Sequence, residues 1–121
     1  IFFGVESAWM AFNAELSKSY AALASRHAHP KGPWPMMVKE VGRHGPSHAE
    51  VLDVAAGMGE PGRTIAAKYS WATVTATDTS ADMVAMAIQT AKELPNMKVL
   101  QADAMELPFP DSSFDIVTCC Y

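Results

Sequence analysis

Val51-Leu52-Asp53-Val54-Ala55-Ala56-Gly57-Met58-Gly59-Glu60-Pro61-Gly62 changes character along its length. It opens as a short apolar run and passes into closely spaced glycines. Arg63 to Ser70 then carries Ile65, Ala66 and Tyr69 on one side of a helix, so the stretch reads strand, glycine turn, helix. Glycine, lacking a side chain, lets backbone N–H groups at a helix start come close to a ligand. Asp53 is an acid inside the strand, and a buried carboxylate needs a partner, which a cationic ligand amine would supply.

Further along the chain the unit repeats. Thr73-Val74-Thr75-Ala76-Thr77 is rich in β-branched residues and ends at Asp78, after which Ser80 can cap a helix carrying Met83, Val84, Ala87, Ile88 and Ala91. Met97 to Leu100 reads as a third strand. Phe114 to Cys119 reads as a fourth, inner strand, reached through Leu107-Pro108-Phe109-Pro110-Asp111. Strands alternating with helices predict an α/β fold: a Rossmann-like doubly wound sheet of about four parallel strands with flanking helices.

Toward the N-terminus the period changes. Trp9, Phe12, Leu16, Tyr20 and Leu23 recur every three or four positions and predict an amphipathic helix from Glu6 to Arg26. Pro30 and Pro33 end it, and Trp34 to Arg43 predicts a second, shorter helix stopping near Gly45-Pro46. The expected organisation is an N-terminal helical segment, residues 1–46, followed by a cofactor-binding half-domain, residues 47–121.

Composition narrows the functional classes. A net charge of -4 with no basic run offers no footprint for nucleic acid. No stretch has the roughly 18 uninterrupted apolar residues of a membrane-spanning helix. The opening Ile1-Phe2-Phe3-Gly4 carries no targeting signal, and a reducing, intracellular or organelle interior is expected, without an assigned compartment. Cys119 and Cys120 read as buried packing residues. His27, His29, His44 and His48 are not joined by ligands at metal spacing, so no metal site is expected.

The glycine stretch and Asp78 fit two cofactors. Gly57-Met58-Gly59-Glu60-Pro61-Gly62 satisfies G-x-G-x-x-G, and Asp78 follows Gly59 by about twenty residues, where a Rossmann-like fold places an acid for ribose hydroxyls. A dinucleotide site is one reading, although Asp53 occupies a strand position that is usually apolar in such folds.

The stretch from Val51 to Pro61 resembles the first motif of class I S-adenosylmethionine-dependent methyltransferases, with Ala55 in place of the usual first glycine. Asp78-Thr79-Ser80-Ala81-Asp82-Met83 is similar to that family's second motif, and Gln101-Ala102-Asp103-Ala104 to its adenine-contacting turn. Leu107 to Asp115 resembles the approach to the fourth strand in the branch that includes quinone-biosynthesis methyltransferases. The resemblance implies S-adenosylmethionine as cofactor and a small-molecule methyl acceptor. It implies that Asp53 acts through the glycine turn on the methionine amino group, and that Ala55, Gly57 and Gly59 form the floor of the site. Asp78 would hold the ribose, with Thr79 and Met83 lining ribose and adenine. Asp103 would accept from the adenine amino group, and the Ala104 backbone would meet a ring nitrogen. Packing in the core is the competing role for Met83 and for Tyr20, close helix packing for Gly62, and turn or strand-edge roles for Asp111 and Asp115.

The resemblance also implies a seven-stranded sheet, of which this sequence holds four strands. The expectation is therefore an incomplete sheet whose fourth strand would be covered by a missing C-terminal half or by a protein partner. No catalytic residue is assigned. The leading expectation is methyl transfer in a longer parent chain; the alternatives are a methyltransferase-like structural subunit without activity and a dinucleotide-binding oxidoreductase fragment.

Overall fold

The structure is a computed structural model that describes residues 27–45 and 47–120. The amphipathic helix expected over Glu6 to Arg26, with Tyr20, lies outside the described residues.

Helix α1 spans Pro33–His44, slightly longer at both ends than its apolar pattern predicts. Pro33 and Pro35 sit in the first turn, where the missing N–H groups would have had no helical acceptor. Trp34, Val38 and Val41 form its buried stripe, and the Gly45 N–H closes the end on Val41 O at 2.8 Å. Glu40 pairs with Arg43 and His44 on the solvent side, contacts of little energetic weight.

The remaining elements alternate: β1 (Ala49–Val54), α2 (Gly62–Lys68), β2 (Ala72–Asp78), α3 (Ala81–Ala91), β3 (Met97–Gln101) and β4 (Ile116–Cys119). All four strands are parallel, in the order β3-β2-β1-β4. The central strands β1 and β2 are buried at all but one or two positions, as two-faced parallel strands are. Helices α2 and α3, the crossover elements between β1 and β2 and between β2 and β3, pack on β2 and β3. Val51, Val74, Ile65 and Ala66 form the core under α2, and Val38 and Val41 of α1 join it.

Side chains hold the connections. Asn96 Nδ2 donates to Ala66 O and Ala72 O, both at 2.9 Å, and ties the end of α2 to the start of β2. Ser80 caps α3, its Oγ accepting from Met83 N at 3.3 Å.

Two expectations are corrected. β4 begins only at Ile116, two residues later than its apolar pattern predicts, and it is the outermost strand of the described sheet beside β1, as the expected incomplete sheet requires. Phe114 instead meets Phe109 edge-on, and Asp115 spends its carboxylate on the Glu50 N–H at 2.8 Å, anchoring the strand start. The cysteines also part company: Cys120 is buried against Trp34, but Cys119 is exposed. Neighbouring residues at a strand end point to opposite faces, so one covered side cannot bury both.

Candidate cofactor site

The chain runs β1, β2, β3 outward in one direction and then returns to place β4 on the other side of β1. The switch point therefore lies between β1 and β4, and the crevice beyond the strands' carboxyl ends at such a point is where open α/β sheets bind ligands. The glycine turn leaves β1 there.

Three alternate residues of that turn have left-handed backbones: Ala55 at φ 54°, Gly57 at φ 57° and Gly59 at φ 104°. Ala55 has the conformation that glycine adopts without penalty, and it is exposed. The turn is fixed from both neighbours. Ala56 N donates to Thr77 O at 2.9 Å, extending the β1–β2 ladder, and Gly59 N donates to Ala56 O at 2.9 Å. The Glu60-Pro61 peptide is cis.

Asp78, at the end of β2, reaches back to the turn. Its Oδ2 accepts from Gly57 N at 2.8 Å, and its Oδ1 accepts from Ser80 N at 2.9 Å. A carboxylate has about four acceptor positions, so these two hydrogen bonds do not exhaust those of this half-buried side chain.

Asp103 follows β3 and is exposed, with Oδ1 accepting from Met105 N at 2.8 Å. Two links hold its loop to the end of β2: Ala102 N to Asp78 O at 3.0 Å, and Gln101 Nε2 to Thr79 O at 2.9 Å. Thr79 is exposed and Ala104 half-buried beside them. Met83, by contrast, is only 3% exposed and belongs to the packed side of α3.

Asp53 lies beneath the turn and is fully buried. A ligand amine was the partner expected for it, but the protein itself supplies two. Oδ2 accepts from Gly62 N at 2.8 Å, and Oδ1 accepts from the Thr118 hydroxyl at 2.7 Å. Burial raises its pKa from 3.8 to about 7, against the lowering effect of these two hydrogen bonds; the charge of Glu60 adds a smaller upward push. Glu60 itself pairs with Arg63 and accepts from Thr64 N and Oγ1, which places an acid at the start of α2. Gly62 is needed for closeness: a Cβ there would stand 2.8 Å from Asp53 Oδ2.

Turn 55–59, Asp78 and the Asp103 loop thus gather along one rim of the sheet, with Asp53 below it. Thr118 was not singled out from the sequence. A threonine in an apolar strand gives no signal by itself, and its role needs the β1–β4 register, which sets it opposite Asp53.

This is the arrangement of a Rossmann-like domain, with a glycine turn and two acids set at the carboxyl ends of its strands. Residues 51–121 match the methyltransferase domain family, and the chain belongs to that family. It is 42% identical over 72 residues to a demethylmenaquinone methyltransferase of Staphylococcus aureus (strain MRSA252), covering 57% of this chain and 29% of that protein. It is also 42% identical over 71 residues to a sterol 24-C-methyltransferase of Gibberella zeae, covering 56% of this chain and 18% of the relative. Among solved structures, the TehB-like SAM-dependent methyltransferase of Corynebacterium glutamicum superposes with a TM-score of 0.73 at 20% identity, over 90% of this chain and 56% of its own. That likeness establishes the shared fold. The chain spans less than a third of either sequence relative.

Proposed function

We propose that the protein binds S-adenosylmethionine and takes part in methyl transfer to a small-molecule acceptor. The observation that carries this reading is the Asp78–Gly57 tie at 2.8 Å, which joins the acid ending β2 to a left-handed turn over a buried strand acid, within a methyltransferase-family domain. In this reading Asp78 offers its free acceptor positions to ribose hydroxyls. Ala55, Gly57 and Gly59 form the floor, Thr79 lines the ribose, and Asp103 and Ala104 receive the adenine edge. Met83 shapes the adenine pocket from within the helix, and Asp53 acts through the turn it anchors.

The cofactor supplies a methyl group activated on a sulfonium, so the task of these residues is to bind, orient and exclude water. The named relatives differ in acceptor, a demethylmenaquinone and a sterol.

Calorimetric titration with S-adenosylhomocysteine and with a nicotinamide dinucleotide tests the reading; the first is expected to bind more tightly, and the reverse order would reject it. Asp78→Ala should weaken S-adenosylhomocysteine by about tenfold to a hundredfold, the worth of one charged hydrogen bond. It should also lower stability, because Asp78 holds Gly57 and Ser80 as well as any ligand. Unchanged affinity in a folded variant would reduce Asp78 to a tie between loops.

A further inference from the structure

Thr118 and Asp53 face each other across the β1–β4 pair, 2% and 0% exposed, on the helix-covered side of the sheet. The Thr118 hydroxyl donates to Asp53 Oδ1 with the oxygens 2.7 Å apart; its other possible acceptor, Leu52 O, is farther at 3.5 Å. The second carboxylate oxygen holds Gly62 N, the first residue of α2 and the far end of the glycine turn. One carboxylate therefore joins β4 to the helix on which the turn is mounted. A methyl-for-hydroxyl change at residue 118 would leave volume and β-propensity nearly unaltered and remove the donor that makes this link, with its longer contact to Leu52 O.

We propose that Thr118 is a positioning residue for the cofactor turn: by donating to Oδ1 of Asp53 it holds that carboxylate aimed at Gly62, so that the turn from Ala55 to Gly59 has its ligand-holding shape. The proposal rests on the cofactor reading above. Among the described residues, few charges bear on Asp53. β2 presents Ala76 opposite it, α2 presents Gly62, and β4 presents Thr118. Glu60 is the titratable group that bears on it, from the turn, and is itself paired with Arg63. The carboxyl already sits near neutrality through burial, so the loss of one donor changes its ionisation at working pH. A cationic amino group bound above the turn favours the ionised form; affinity should therefore fall as Asp53 takes up a proton.

The test measures S-adenosylhomocysteine affinity by calorimetry from pH 5.5 to 8.5 for wild type, Thr118→Val and Thr118→Ser, together with the carboxyl carbon shift of Asp53 by NMR in the free proteins. Wild-type affinity should drop below about pH 7. Thr118→Val should move both midpoints up by about one to two pH units, as expected for one hydrogen bond to a charge, and bind about tenfold more weakly near pH 7.5. Thr118→Ser keeps the donor and should follow wild type. If the valine variant does not fold, Thr118→Ala against Thr118→Ser makes the same comparison at matched volume. Wild type that binds no S-adenosylhomocysteine would overturn the cofactor reading. Wild type that binds, with an unshifted midpoint in Thr118→Val or an equal shift in Thr118→Ser, would overturn the role of Thr118 alone.

Discussion

Ala55→Gly should stabilise the protein, although alanine-to-glycine changes ordinarily weaken one. Ala55 has φ 54°, and a left-handed backbone costs a residue with a Cβ about 1–2 kcal/mol. Its methyl is exposed, so removing it forfeits almost no packing. Against the relief stands the greater freedom of glycine in the unfolded chain, about 0.5–1 kcal/mol. The net expectation is a gain of about 0.5–1 kcal/mol, or roughly 2–5 °C in Tm. Urea melts followed by circular dichroism would read it. Ala85→Gly is the control: residue 85 is exposed within α3, away from any left-handed position, and should lose about 1 kcal/mol. Opposite signs at the two sites are the expected result. A loss at Ala55 as large as that at Ala85 would refute the left-handed turn and, with it, the reading of residue 55 as a glycine position filled by alanine.

Asp53→Asn should flatten the pH dependence of stability. Because the folded pKa of Asp53 is raised from 3.8 to about 7, the folded state keeps a proton that the unfolded chain releases. The resulting stabilisation is complete below about pH 4 and is lost as pH rises through about 7, a swing of about 4 kcal/mol. Asparagine still accepts from Gly62 N, and Thr118 can turn its proton to Leu52 O, so the variant should gain on wild type between urea melts at pH 5 and pH 8; equal curves would contradict the buried carboxyl. Gly62→Ala should cost about 1–3 kcal/mol in the same melts, since the new Cβ falls 2.8 Å from Asp53 Oδ2 and 3.2 Å from Val74 Cγ1 in a packed core.

The alternation of strand and helix, the glycine turn and the cap at Ser80 were all legible in the sequence, because each depends on neighbours within a few residues. Apolar period, β-branching and local hydrogen bonding decide them before any long-range contact forms. Asp53 and Asp78 could likewise be singled out by residue type and spacing, and Asp103 by the family resemblance. Their present partners could not. Whether Ala55 was harmless or strained turned on its φ, which the path from β1 over to α2 imposes. That Asp53 finds Thr118 depends on β4 returning to pair with β1, across a sequence separation of 65 residues. The split between Cys119 and Cys120 follows from which face of the strand end is covered. Local preference is written into each short stretch of chain, whereas a buried carboxylate's pKa, its donors and its neighbours belong to the packing of distant segments, which exists only once the sheet has assembled.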